Sequence, residues 1–265
     1  MIPDLDRVAA IIRDVAETEI LPRFRRPDTQ DVREKGPGDL VTIADEQAER
    51  ALTSRLAELL PGSVVVGEEA VAADPAVLDR IAGTEPVWII DPVDGTANFV
   101  AGNPKFGVIV ALAQGGRTLA GWIHDPCTGR TLMGADGQGA WMEGRRLRAA
   151  APVTASAMDG IVNARFFEKP VRARLLQGAD RINRHFSQRC SAHDYLLLVA
   201  GEAHFGLNAL VKPWDHAAGV LLHAEAGGWS AKLDGSRYAP TDRDGGLLLA
   251  PDEAGWRELK AVLLD

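Results

Sequence analysis

The segment Trp88-Ile89-Ile90-Asp91-Pro92-Val93-Asp94-Gly95-Thr96 sets two carboxylates three positions apart, across a proline bend that follows an apolar run. A strand end that passes into a helix start offers carboxylates to a cation and free backbone N–H groups to an anion. A metal ion paired with a phosphate needs both. An Asp-capped turn would look the same, because Asp-Gly pairs are common turn formers, and here Asp94 is expected to cap a helix that begins near Gly95.

Two more acidic segments carry similar chemistry. Val64-Val65-Val66-Gly67-Glu68-Glu69 puts adjacent carboxylates at the end of a second β-branched run, and Pro213-Trp214-Asp215-His216 opens a helix with an aspartate among apolar neighbours. Each has a plainer reading, a solvated loop for Glu68-Glu69 and an N-cap for Asp215. If Glu68, Asp91, Asp94 and Asp215 cluster, they repel one another and take up protons unless divalent cations offset their charge. All four offer oxygen and no His or Cys joins them, which favours Mg²⁺ over Zn²⁺ or copper. None of the six histidines is expected to bind metal, and His216 and His223 read as interior residues of one helix. His193-Asp194, at the start of a helix, could face the substrate, but a cap or a surface pair is the first reading.

The elements that would position these groups follow from periodicity. Apolar residues at helical spacing predict amphipathic helices over residues 5–21 and 46–60, with a Gly/Pro/Asp loop over 26–39 between them. Strands are expected at 64–66 and 87–90, and an antiparallel meander over 107–142, punctuated by Gln114-Gly115-Gly116 and Asp136-Gly137. Periodicity fades in the Ala-rich stretch 148–159, where the boundary is expected between an N-terminal α+β half, residues 1–150, and a C-terminal α/β half, residues 151–265. In the second half, helix patterns at 171–177, 191–200, 214–225 and 253–263 alternate with strand patterns at 160–164, 204–210 and 246–249.

The chain's 265 residues are 46% apolar and 25% charged, enough for a sizeable core. A net charge of −8 argues against a nucleic-acid or anionic-membrane partner. No stretch resembles a signal peptide or a membrane span, and Cys127 and Cys190 read as reduced thiols, so a cytoplasmic protein is expected. No Gly-x-x-x-x-Gly-Lys loop is present, which argues against a P-loop nucleotidase.

Taken jointly, Gly67-Glu68-Glu69, Asp91-Pro92-Val93-Asp94-Gly95-Thr96 and Trp214-Asp215-His216-Ala217-Ala218-Gly219 resemble the inositol monophosphatase family of Mg²⁺-dependent, Li⁺-sensitive sugar phosphatases. Lys35 with Asp39-Leu40-Val41-Thr42 and Asp45, and the Gly137-Gln138-Gly139-Ala140 hairpin, resemble further motifs of that family. The resemblance implies an α+β fold of layered αβαβα type and a homodimer. It also implies hydrolysis of a small phosphate monoester, inositol or sugar phosphate-like, by metal-activated water, with two or three Mg²⁺ ions. Glu68, Asp91 and the Val93 carbonyl would hold one ion, Asp91 would bridge to a second held with Asp94 and Asp215, and Glu68 would share a third. Asp45 and Thr96 would activate the water, so Asp45, Thr96 and Glu68 form the expected catalytic set. Gly95, Thr96, Asp215 and Lys35 would meet the phosphate or its surroundings. The resemblance also places Asn208 in the leaving-group pocket, where inositol-cleaving members carry an acidic residue. An amide there loses a charge-assisted acceptor, so histidinol phosphate and nucleotide substrates (NADP or 3′-phosphoadenosine compounds) stay open. A non-catalytic regulatory protein on the same fold is the alternative of a different class.

Overall fold

A computed structural model of the protein describes residues 2–26, 32–36 and 39–265. Its elements form five layers, helices, sheet, helices, sheet and helices, as the family resemblance implies. The first layer pairs α1 (Leu5–Val15), extended by a π-helical turn at Ala16–Ile20, with α2 (Ile43–Leu59). Between them runs a hairpin of β1 (Val32–Gly36) and β2 (Asp39–Thr42), where the sequence suggested only a loop; Pro37 and Gly38 of the expected motif lie outside the described residues.

The second layer is a seven-stranded sheet. In spatial order its strands are β3 (Val64–Gly67), β4 (Val87–Asp94), β5 (Gly107–Gln114), β6 (Arg117–Asp125), β7 (Arg130–Ala135), β8 (Gly139–Met142) and β9 (Arg145–Arg146). From β5 to β8 it is the expected antiparallel meander, while β3 and β4 are parallel. Two short helices follow strands directly, α3 (Glu68–Ala73) after β3 and α4 (Thr96–Val100) after β4.

Strand alternation explains the layering. Trp88 and Ile90 of β4, with Val108, Val110 and Trp122 of its neighbours, pack under α1 and α2 beside Val8, Ile12, Leu52 and Leu56. Ile89 and Ile109 face the opposite side, toward a middle layer of α6 (Ser191–Val199) and α7 (Pro213–Glu225) that contributes Tyr195, Ala217, Ala218 and Leu222. The second sheet runs β11 (Arg184–Phe186), β10 (Asp159–Asn163), β12 (Phe205–Asn208), β14 (Leu247–Ala250) and β13 (Trp229–Lys232). Leu247 and Leu249 meet the middle layer. Leu248 and Ala250 face the last one, where α5 (Lys169–Ala179) and α8 (Glu253–Leu263) bury Leu175, Trp256 and Leu259. Among the described residues no helix is long and apolar enough to cross a membrane.

Candidate active site

The site lies where β3 and β4 end and α7 begins. Alternation places Asp91 on the Ile89 face of β4, toward α7. A break in register between Asp91 and Asp94, at Pro92, then lets Asp94 turn into the same cleft. In the first turn of α7, Asp215 completes the group: one carboxylate oxygen from each of Asp91, Asp94 and Asp215 lies within 4.8 Å of the others. These three, with Glu68, Val93, Gly95 and Thr96, line a cleft of about 150 Å³.

Each ligand candidate is held by its own local structure. Glu68 opens α3, whose free N–H groups at Glu69 and Ala70 donate to the Glu49 carboxylate at 2.8 and 2.9 Å. A Cβ at Gly67 would sit 2.2 Å from the Glu49 carboxyl carbon, so a side chain there would displace this carboxylate from the α3 N–H groups. Gly95 turns the chain at φ 82° from strand to α4, and a Cβ there would meet the Lys105 carbonyl at 3.0 Å and Cys190 at 3.1 Å.

Two expectations are corrected. Asp94 does not cap the helix after it: the residue before α4 is Gly95, and no side chain bonds that end. Instead Asp94 Oδ2 reaches across to α6 and accepts from the Ala192 N–H at 2.5 Å and the Cys190 thiol at 2.9 Å. The bend at Pro92 turns the carboxylate away from its own helix. Asp194 is neither a cap nor a surface residue. Cys190 takes the capping position of α6, and Asp194 is 4% exposed, because the face of α6 that carries it packs toward the second sheet.

Asp45 and Thr96 come together as the resemblance implied. The Thr96 hydroxyl lies 3.2 Å from Asp45 Oδ1 and 3.0 Å from the Val93 carbonyl, so its single proton serves one acceptor at a time. Asp45 Oδ2 accepts from the Thr42 N–H at 2.9 Å and the Thr42 hydroxyl at 2.5 Å, closing a capping box at the start of α2. One carboxylate thus anchors a helix with one oxygen and faces the site with the other. Lys35 donates to Glu68 at 3.1 Å and Glu69 at 2.8 Å and touches the cleft only through Glu68. Asn208 lies outside the cleft, in an adjoining cavity of about 470 Å³ that shares Asp94, Ala97, Lys212 and Asp215 with it.

Burial and repulsion among neighbouring carboxylates dominate the electrostatics of the cleft. Burial, then the charges of Glu68, Asp94 and Asp215, lifts the Asp91 carboxyl well above its usual range. Asp94 is raised by burial against the hydrogen bonds from Cys190 and Ala192, and Asp215 by burial and then by Asp94. Burial pushes Asp45 up to about 7, although its bonds from Thr42 pull it down. For Lys35, burial works to lower the ammonium, but Glu68 and Glu69 outweigh it and hold it above its usual value. His216 and His223 are interior residues, as expected, and burial brings each down to about 4.

A model of the inositol monophosphatase family matches residues 4–264. The chain belongs to that family. Its relatives include an inositol-1-monophosphatase from Mesorhizobium japonicum, 32% identical over 86% of this chain and 84% of that protein. The Escherichia coli protein named Nus factor SuhB is 30% identical over 79% of this chain and 78% of its own length. Among solved structures, a Thermotoga maritima IMPase superposes with a TM-score of 0.82 at 25% identity, covering 97% of this chain and 95% of that one. Within this family fold, Lys212 is the cavity residue that motif reading missed, whereas Asp194, whose second reading was to face the substrate, lines the larger cavity. Lys212 precedes the Pro213-Trp214-Asp215 motif and lines both spaces, and its position next to that motif was the only signal for it.

Proposed function

We propose that the protein hydrolyses a small phosphate monoester, inositol or sugar phosphate-like, at a Mg²⁺ site formed by Glu68, Asp91, Asp94, Asp215 and the Val93 carbonyl. The observation that carries this reading is the approach of three largely buried carboxylates to within 4.8 Å beside the Thr96–Asp45 pair. At an effective dielectric constant near 20, two full charges at that distance repel by about 3–4 kcal/mol, and the two buried members have little solvent to screen them. An all-oxygen donor set at the join of strand and helix suits Mg²⁺ better than Zn²⁺ or copper.

Divalent ions bound there supply positive charge for the phosphoryl oxygens and make water acidic enough to attack at neutral pH. The chain's residues do the rest. Asp45 Oδ1 accepts the Thr96 hydroxyl proton, which leaves the Thr96 oxygen free to accept a hydrogen from the attacking water. Burial raises the Asp45 carboxyl in the metal-free protein, which suits it to take up a proton drawn along this path. The Gly95 and Thr96 backbone N–H groups take phosphate oxygens, and Lys35 steadies Glu68. The reading extends to lithium inhibition and a homodimer, as the resemblance implies, and to the cytoplasmic location expected from the two reduced thiols and the lack of a signal-like segment.

The name of the Escherichia coli relative favours one second reading, a regulatory protein that binds partners on this fold. A protein that only binds has no use for the Thr96–Asp45 pair beside the acidic cluster, so the enzymatic reading is preferred. Phosphate release from inositol, sugar, histidinol and nucleotide monophosphates, measured with Mg²⁺ and with EDTA, separates the two. Mg²⁺-dependent release from at least one substrate class is expected. No release from any of them at saturating Mg²⁺, or release that survives EDTA, would contradict the proposal.

A further inference from the structure

One buried carboxylate has no part in the chemistry above. Glu49, on α2, is 8% exposed, and both of its oxygens face α3: Oε2 accepts from the Glu69 N–H at 2.8 Å and Oε1 from the Ala70 N–H at 2.9 Å. Those are the N–H groups that a helix's own capping side chain ordinarily takes. The residue in the capping position of α3 is Gly67, which has no side chain and makes no such bond. Glu49 therefore caps α3 from another helix, and Gly67 leaves the space for it.

The first residue of the capped helix is Glu68. A helix of six residues holds together only through its surroundings, and α3 follows β3 without a linker. The hydrogen bonds at its start therefore set where Glu68 leaves the strand and which way its side chain points. The Glu68 side chain itself meets Lys35 at 3.1 Å, whereas Glu49 grips only main-chain groups of α3. Glu49 also lies four positions after Asp45, on the same face of α2, and Asp45 meets Thr96 in the cleft. One helix face thus reaches two separate parts of the site, the Thr96 hydroxyl and the start of α3.

We infer that Glu49 is a positioning residue for metal binding: by capping α3 from α2 it holds Glu68 in the direction from which its carboxylate meets the cation. This inference rests on the Mg²⁺ reading of the cleft. Removing a partner that orients a metal ligand typically changes metal affinity about 10–100-fold. Glutamine at position 49 offers one carbonyl to two N–H groups and turns its own amide N–H toward the other. Alanine at position 67 keeps every charge and sets a Cβ 2.2 Å from the Glu49 carboxyl carbon, so the carboxylate swings away. The backbone there, at φ −103°, accepts a side chain without strain.

The test is the Mg²⁺ dissociation constant, measured by titration calorimetry without substrate. It is run at pH 8, because burial lifts Glu49 to about 7 against both N–H bonds. Glu49→Gln and Gly67→Ala should each raise the constant at least about tenfold, with melts in EDTA showing that both variants fold. In a Glu68→Gln protein, Glu49→Gln should change the constant by less than about twofold, since the ligand that it positions has already lost its charge. A charge acting across space would shift both backgrounds equally, and a cap that serves stability alone would lower the melt and leave the constant where it was. Either result overturns the inference. Where Glu49→Gln does not fold, or Glu68→Gln binds too weakly to measure, Gly67→Ala decides: binding within about twofold of wild type overturns the inference. A wild-type protein that binds no Mg²⁺ removes the metal reading and the inference together, whereas Mg²⁺-dependent phosphate release with unshifted variants leaves that reading standing.

Discussion

Asp45→Asn separates the two tasks of one carboxylate. Burial raises this group from an ordinary 3.8 to about 7. Between those values the folded protein holds the proton that the unfolded chain has released, so stability falls as pH rises toward 7 and levels off above it. About three pH units at 1.36 kcal/mol each set a ceiling of about 4 kcal/mol for the instability that ionised Asp45 brings to the metal-free protein at pH 8. An asparagine carries no such charge. Its carbonyl can still accept from the Thr42 N–H that Oδ2 now holds at 2.9 Å, at the expense of a charge-assisted bond. The expected net gain is about 2 kcal/mol, or a rise of about 4–8 °C in Tm in EDTA at pH 8, shrinking toward zero near pH 4. Turnover should move the other way. Losing the proton acceptor for Thr96 is expected to lower kcat about 10²–10⁴-fold, or about 2.7–5.4 kcal/mol in the barrier. Thermal melts across pH 4–8 and steady-state kinetics with Mg²⁺ on the same preparation read both effects. A variant that melts below wild type at pH 8, or keeps kcat within threefold, would refute the assignment of Asp45 as a buried base.

Thr96→Ala should lower kcat at least about tenfold while leaving the Mg²⁺ concentration for half-maximal activity nearly unchanged, and Thr96→Ser should restore most of the loss; a shifted Mg²⁺ requirement would move Thr96 into the ligand set. Because burial and mutual repulsion raise Asp91, Asp94 and Asp215, protons compete with metal for them, so the rise in Tm caused by Mg²⁺ should be larger at pH 8 than at pH 5.5. An equal rise at both pH values, followed by differential scanning fluorimetry, would mean that the ion binds elsewhere.

Much of the fold was legible because its signals are local. The apolar runs of β3 and β4, the turns of the meander and the periodicity of α1, α7 and α8 each lie within one segment. The hairpin of β1 and β2 was missed because its sequence, rich in Gly, Pro and charge, has no apolar alternation, and α2 starts earlier than its apolar stripe because the Thr42–Asp45 capping box sets its first turn. In the site, the acidic motifs stood out by residue type and position, and Asp45 through the family resemblance. Their orientation did not: a register break at Pro92 sends Asp94 to another helix, and no periodicity rule anticipates that. For Asp194 the cap or surface reading came first, since an acidic residue in a helix's first turn ordinarily faces solvent. Only the packing of α6 between two sheets buries it.

The measurement that bears most directly on the metal cleft is Mg²⁺-dependent phosphate release by Asp91→Asn beside wild type. Burial and then the charges of Glu68, Asp94 and Asp215 push the Asp91 carboxyl upward, and Asp91 is proposed to bridge two ions. Asparagine keeps the shape, and its side-chain oxygen can still accept from the Val93 N–H that Asp91 Oδ1 now meets at 3.1 Å, so the fold should survive. The wild-type protein is expected to release phosphate only with Mg²⁺, and a folded Asp91→Asn protein should lose at least about a hundredfold in kcat. Near wild-type turnover by Asp91→Asn at saturating Mg²⁺ would contradict the assignment of the carboxylate cluster as the catalytic metal site.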